Sequence, residues 1–169
     1  DNGGTDFNNG GFDDGGFQQG GGSLDTWTVF GNKTSNVTAA NQAALAGDKS
    51  LKLFGQFSGT SNVSGVHQGI TVAPGDHVNA SLSAYLRSAD SIVGTNNVAQ
   101  MKIEFYNQYG GTFGSPNYLG EVMLPIADGT TANDVWLARQ LSGVAPAGAV
   151  EARLVLQFLQ PNNQTGAVH

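Results

Sequence analysis

Apolar and polar residues alternate along much of the chain after Trp27. In the segment His77–Arg87, alanine, valine and leucine face one way, while asparagine, serine, tyrosine and charged side chains face the other. The same period of two runs through Ala99–Tyr106 and Val150–Phe158. A period of two is that of a β-strand with one face buried. The three segments are therefore predicted to be strands that cover a shared core.

Shorter apolar segments occupy most of the remaining chain, and turn residues such as Pro74, Gly75 and Asp76 separate them. No segment has the 3.6-residue period of an amphipathic helix. Several short strands with no helix between them predict an all-β fold, an antiparallel β-sandwich of the jelly-roll type. The shorter predicted strands are Trp27–Phe30, Leu51–Phe54, Val66–Val72, Tyr118–Leu124 and Trp136–Leu141. Because Trp27 and Trp136 stand beside apolar positions, we expect both to lie mainly in the core.

The first 23 residues differ in composition from the rest. A phenylalanine followed by two polar residues and two glycines occurs three times, beginning at Phe7, Phe12 and Phe17. Ordering so many glycines costs entropy that few apolar groups offset. We interpret residues 1–23 as a flexible leader or, alternatively, as a strand that docks on this domain or a neighbour. Residues 24–169 form the predicted sandwich domain.

The segment Gly166–His169 resembles the opening of another strand, and no further residues follow it in the sequence. A sheet that ends on an unpaired strand presents an open edge. We therefore expect the domain to lack its last strand, which either belongs to a longer chain or comes from elsewhere.

Composition excludes several classes of function. Of 169 residues, 7 are basic and 13 acidic, a net charge of −6, which argues against nucleic-acid and anionic-membrane binding. No apolar run reaches the roughly 20 residues that span a membrane, so no membrane insertion is expected. The absence of cysteine excludes disulfides and thiolate metal sites. Amide and hydroxyl groups replace charges, as is common in secreted β-proteins, and an extracellular location is predicted.

Nothing in the sequence indicates catalysis. His67, His77 and His169 lack metal-ligand spacing, and no Gly-x-Ser-x-Gly motif is present. Carboxylates are available, but no pattern shows that they converge in one cleft. We expect a protein that is not an enzyme, and we interpret His67 as a packing residue.

Several motifs, in order, resemble carbohydrate-binding modules of the galactose-binding-like jelly-roll group, the type appended to xylanases and glucanases. Each motif is weak alone, and their order and spacing carry the resemblance from about residue 9 to the end. Phe17 and Gln18 match the family's opening as well as Phe12 and Asp13 do. The matching segments are Asn9–Asp13, Leu24–Gly31, Gly47–Leu53, Gly65–Ile70, Ala145–Val150 and Ala152–Leu156.

The resemblance implies a galactose-binding-like jelly roll that binds a polysaccharide and does no chemistry. It also implies a structural calcium ion, held here by Asp13, Asp48 and nearby carbonyl groups. The family's last strand, which often supplies a further aspartate, is absent after His169. Since calcium takes six to eight oxygen ligands, we expect this site to be weak.

Sugar binding needs aromatic faces to stack on and planar polar groups to bond hydroxyls. Outward positions on three predicted strands supply both, and they form one surface if the strands are neighbours. The loop from Tyr106 to Phe113 is rich in aromatic residues and glycine, and we interpret it as a binding loop at the rim of the sandwich, an adhesive patch or, equally, a purely structural loop. The alternative is that these residues form ordinary cross-strand pairs. The predicted ligand-binding residues are Tyr85, Arg87, Asn79, Lys102, Glu104, Tyr106, Tyr109, Tyr118, Arg153 and Gln157.

A second hypothesis belongs to another class of protein. An extracellular structural or surface-layer subunit could donate its Gly-rich N-terminal strand to the open edge of the next subunit and so build a filament. The three repeat phenylalanines would then be the assembly residues. This hypothesis accounts for the repeat and for the missing strand together, and it predicts self-association.

Overall fold

The computed structural model describes residues 27–31, 34–38 and 49–169. The repeat phenylalanines and the predicted calcium ligands Asp13 and Asp48 lie outside these residues. The described elements are β1 (Thr28–Phe30), β2 (Thr34–Thr38), β3 (Lys49–Phe54), β4 (Asn62–Thr71), β5 (His77–Tyr85), a 3₁₀ turn (Ser88–Asp90), β6 (Val98–Tyr106), β7 (Tyr118–Asp128), β8 (Trp136–Val144), β9 (Glu151–Gln160) and β10 (Ala167–Val168).

One layer of the fold is a five-stranded sheet in the order β1-β4-β9-β6-β7. Every pairing in it is antiparallel. Strand β9 pairs with β4 over its whole length and with β6 on its other side, so β9 is the central strand of the sheet.

The second layer contains the pairs β2-β3, β3-β10 and β5-β8. His169 connects its two parts, because its backbone N–H and C=O both bond to the backbone of Tyr85 at 3.0 and 2.7 Å. The end of β10 therefore lies between β3 and β5. Strand β10 lies within Gly166–His169, where the sequence indicated the opening of a strand. The absence of a further, last strand from the domain stays a prediction.

The hydrophobic core lies between the layers and explains the alternation in the sequence. The side chains Met101, Ile103 and Phe105 of β6 are at most 3% exposed, and Phe158 of β9 is fully buried. Val78 of β5 packs in the same core cluster from the opposite layer. The prediction of an antiparallel all-β sandwich is confirmed.

Two local predictions need correction. Strand β2 was not predicted, because Thr34–Thr38 contains a single aliphatic residue and no alternation. Trp136 points away from the core, and its ring packs on Tyr85 with ring centroids 5.0 Å apart.

Within the described residues, no helix is long and apolar enough to cross a membrane.

The packing predicts a large cost for truncating Phe158. Because this ring is fully buried between the layers, Phe158→Ala should lower the free energy of unfolding by about 3–5 kcal/mol. Val93→Ala, at a loop position that is 47% exposed, should change it by no more than about 0.5 kcal/mol. Urea unfolding followed by tryptophan fluorescence measures both, and equal values would contradict this description of the core.

Candidate functional site

The five-stranded sheet has a second face that is turned away from the core, which we call the cleft face. A cleft of about 620 Å³ lies on it. Ligand sites in proteins have volumes of this order, about 300–1,000 Å³. The lining residues are Phe30, Val63, His67, Lys102, Glu104, Tyr106, Gly111, Thr112, Phe113, Arg153, Val155, Gln157 and Leu159.

Strand register places charged side chains in neighbouring rows across the floor of this cleft. On β6, Glu104 lies opposite Arg153 of β9 on one side and opposite Glu121 of β7 on the other. In the next row, Lys102 lies opposite Val155. Because side chains two residues apart on a strand share a face, these groups converge on one surface.

Arg153 and Glu151 form a buried ion pair on β9. The guanidinium donates to Glu151 through Nε at 3.2 Å and through Nη2 at 3.1 Å, and the two side chains are 10% and 3% exposed. The guanidinium carbon also lies 4.4 Å from the centre of the Tyr106 ring. The pairing satisfies charges that would be costly to bury alone.

Lys102 and Glu121 form a second pair across β6 and β7. The Lys102 Nζ donates to Glu121 Oε2 at 3.0 Å and lies 5.1 Å from the centre of the Phe113 ring. The Phe113 ring in turn packs on Tyr118, with centroids 4.9 Å apart. Burial and the nearby Glu121 carboxylate raise the pKa of Tyr118 to about 12. This tyrosine therefore stays neutral beside the pair.

The Glu104 carboxyl group accepts a hydrogen bond from a residue of its own strand, β6. The Tyr106 hydroxyl donates to Glu104 Oε2 at 2.5 Å, and both side chains are buried. Burial raises the pKa of the Glu104 carboxyl, against the opposing effects of the Tyr106 hydrogen bond and the Lys102 charge. Burial and the bond to Glu104 also raise the pKa of Tyr106. The hydroxyl thus remains a donor to the carboxylate at neutral pH.

The connection between β6 and β7, residues 107–117, forms one wall of the cleft. Its Gly110 N–H donates to Glu151 Oε2 at 2.8 Å, which ties the loop to β9. Gly111 lies so close to Tyr106 that an added Cβ would be 2.5 Å from the ring, so only glycine fits there. A bulge between Phe105 and Tyr106 brings Tyr106 opposite Tyr118 at the base of the loop.

The opposite part of the cleft is mostly apolar. Phe30, Val63, Val155 and Leu159 line it together with His67, whose ring lies 6.1 Å from that of Phe30. Burial, reinforced by the positive charge of Arg153, lowers the pKa of His67 to about 4. The imidazole is therefore neutral at pH 7, and the cleft combines an apolar end with a charged end.

The structure brings together part of the predicted binding surface. Lys102, Glu104, Tyr106, Arg153 and Gln157 all line the cleft. Tyr118 packs against Tyr106 at its edge. Tyr109 is 61% exposed on the loop.

The expectation of one continuous surface is wrong for the remaining three residues. Asn79 and Tyr85 lie on β5, which pairs with β8 in the other layer, and Arg87 follows β5 directly. There, Asn79 accepts a hydrogen bond from Ser142 at 2.7 Å. Their part in ligand binding stays a prediction, separate from the cleft.

Three features of the cleft differ from the sequence interpretation. Tyr106 is fully buried under the loop, so its ring supports the floor and does not face solvent. His67 lines the cleft, although the sequence suggested packing. Phe113 is 58% exposed at the rim and was not among the predicted contacts. The aromatic and glycine content of its loop was the signal for it.

The carboxylates also converge more than the sequence indicated, since Glu104, Glu121 and Glu151 all lie on or beside the cleft face. Even so, no group of three or more acidic or histidine side chains that could hold a metal ion occurs among the described residues. The proposed calcium ligands fall outside this part of the chain, and the calcium ion stays a prediction.

Similarity to known proteins is structural. No protein-family model matches the sequence, and no curated protein matches it. The fold is similar to that of bacteriophage CBA120 tailspike protein 4, enzymatically active domain, with a TM-score of 0.56 and 16% identity. That match covers 85% of this chain and 18% of the tailspike chain, so this chain spans less than a fifth of its length.

Carbohydrate-binding modules have the same architecture. TmCBM61, solved in complex with β-1,4-galactotriose, matches with a TM-score of 0.50 and 13% identity over 87% of this chain and 84% of its own. The CBM22-2 xylan-binding domain of Paenibacillus barcinonensis Xyn10C matches with a TM-score of 0.50 and 15% identity over 88% and 92%. At these identities the similarity shows a shared fold, the jelly-roll sandwich of these modules.

The depressed pKa of His67 predicts a pH effect on stability. Between about pH 4 and 6.5 the unfolded chain binds a proton at this position that the folded protein does not, so stability falls as the pH falls. Urea unfolding at about pH 7 and about pH 4.5 should show a smaller loss for His67→Gln than for the wild type. The comparison removes the contributions of other titrating groups, and identical losses would contradict the burial of a neutral His67.

Proposed function

We propose that this protein is a non-catalytic, extracellular module that binds a polysaccharide in the cleft on its five-stranded sheet. The observation that supports this most strongly is the composition of the cleft. An exposed aromatic ring at the rim adjoins a floor of amide and charged groups and an apolar end, all within about 620 Å³.

Each of these parts suits a sugar. Pyranose rings have apolar C–H faces that pack on aromatic rings, and Phe113 offers such a ring, 58% exposed and held between Lys102 and Tyr118. Sugar hydroxyls need planar donors and acceptors, which Gln157 and Glu104 supply on the floor. Gln157 is positioned by a 2.8 Å hydrogen bond from its Nε2 to Gln100. The site is thus partly preorganised.

The similarity in fold to known proteins supports the proposal, but the proposal does not rest on it. The two carbohydrate-binding modules named above are among them, one solved with a galactotriose and the other named as xylan-binding. Another is an enzymatically active tailspike domain, and one fold serves many functions. The chemistry of the cleft is therefore the main support for binding.

The carboxylates of the cleft support a role without catalysis. Hydrolysis of a glycosidic bond generally needs two carboxyl groups free to act on opposite sides of the bond. Here Glu151 is paired with Arg153, Glu121 with Lys102, and Glu104 accepts the Tyr106 hydroxyl. Each group serves a structural contact, so incubation with a bound polysaccharide should release no reducing sugar.

Affinity electrophoresis in gels that contain soluble polysaccharides tests the proposal. We expect at least one neutral polysaccharide to retard the protein. Phe113→Ala should weaken this retardation by about tenfold in Kd, because the stacking surface at the rim is lost. The ring is largely exposed, so the variant should fold like the wild type, which near-UV circular dichroism checks.

Tyr85→Ala provides the matched control, because it removes an aromatic ring from the other layer. Retardation that survives Tyr85→Ala and is lost in Phe113→Ala supports the cleft. The reverse pattern would move the site to β5, and the absence of retardation across a broad panel would refute polysaccharide binding.

A further inference from the structure

Both cations of the cleft are already engaged by carboxylates. Arg153 directs two of its nitrogens at Glu151, at distances of 3.1 to 3.2 Å. Lys102 donates to Glu121 at 3.0 Å. A ligand carboxylate would have to displace these partners, which strand geometry holds in place, before it could pair with either cation.

The local charge also disfavours an acidic ligand. The floor and its immediate partners comprise two cations, Lys102 and Arg153, and three carboxylates, Glu104, Glu121 and Glu151. They carry no surplus positive charge and, when Glu104 is ionised, an excess of one negative charge, on a protein whose net charge is −6. His67, the histidine of this face, has a pKa of about 4 and adds no positive charge at pH 7. Burial raises the pKa values of Tyr106 and Tyr118, so both tyrosines are neutral at this pH.

Burial strengthens the electrostatic effect of the charges in the cleft floor. The side chains of Glu151 and Arg153 are 3% and 10% exposed, and that of Lys102 is 10% exposed, so water screens them little. Like charges brought together in such surroundings repel more strongly than on an open surface. Hydroxyl groups avoid the penalty, because they can donate to the carboxylate oxygens and accept from Arg153.

We infer that the cleft selects neutral polysaccharides and rejects acidic ones, because the Arg153–Glu151 and Lys102–Glu121 pairs leave no free cation on its floor. This selectivity rests on the proposed function. It adds the substrate class, a glycan without carboxylate groups, and it assigns Glu121 a role in specificity. Glu121 acts on ligand choice by holding Lys102.

A matched set of polymers tests the selectivity at low ionic strength. A neutral polysaccharide that retards the protein is compared with its carboxymethylated and its hydroxyethylated derivatives at equal, low substitution. The substituents are similar in size and differ in charge. We expect the wild type to bind the carboxymethylated polymer about tenfold more weakly than the hydroxyethylated one, a difference of about 1.4 kcal/mol.

Glu121→Gln should narrow this difference in affinity by roughly threefold, since it removes the carboxylate that holds Lys102 and frees the ammonium to pair with a ligand carboxylate. Asp134→Asn is the matched control. It removes the same charge from an exposed turn beside β5, and its amide oxygen can keep the 3.0 Å hydrogen bond that Ser88 N–H donates. The control should leave the ratio unchanged.

The outcomes separate the two proposals. Equal binding of the two derivatives by the wild type overturns the selectivity and leaves polysaccharide binding intact. The same shift in Glu121→Gln and Asp134→Asn overturns the role of the Lys102–Glu121 pair, because net charge alone would then explain it. No retardation by any polymer refutes the proposed function, and the inference falls with it.

Discussion

The cleft depends on the pairing of the charges in its floor. Burying an arginine or a lysine without a partner costs several kcal/mol, so each cation requires a carboxylate within hydrogen-bond reach. Glu151, two residues before Arg153 on β9, forms an ion pair with it, and Glu121 of β7 forms one with Lys102 of β6. The same pairs leave neither floor cation free, and under the proposed function this links the stability of the sheet to the kind of ligand that the cleft selects.

The wall of the cleft depends on the same carboxylates. Glu151 accepts the Gly110 N–H besides the Arg153 guanidinium, so one side chain holds both the floor and the loop. Phe113 then stands at the rim, with Lys102 on one side and Tyr118 on the other. A rigid aromatic surface next to fixed polar groups costs little to order on binding.

Much of the fold was predictable from alternation. On β6 and β9, large aliphatic residues alternate with polar ones, and the structure buries the apolar set as expected. Strand β4 was harder, because its core-facing side includes the buried Ser64 and Gln68, while Val63 lies on the cleft face. Hydropathy therefore did not reveal that His67 faces the cleft.

The site was predictable only in part. Alternation identifies outward residues but does not tell which strands are neighbours, so Tyr85 was grouped with Lys102 although β5 and β6 lie in different layers. Outward also does not mean exposed, since Tyr106 lies under a loop whose path depends on Gly111 and a bulge. Phe113 belongs to the same loop. Because side chains in a loop do not alternate between two faces, the sequence pattern did not predict the direction of this ring.

The most direct test of the cleft is a titration of ¹⁵N-labelled protein with an oligosaccharide of a retarding polysaccharide, followed by amide chemical shifts. Our account predicts shifts concentrated at Phe113, Gly110, Arg153 and Gln157, with the amides of β5 and β8 unmoved. Shifts centred on Tyr85 and β8, with the cleft amides unchanged, would contradict it.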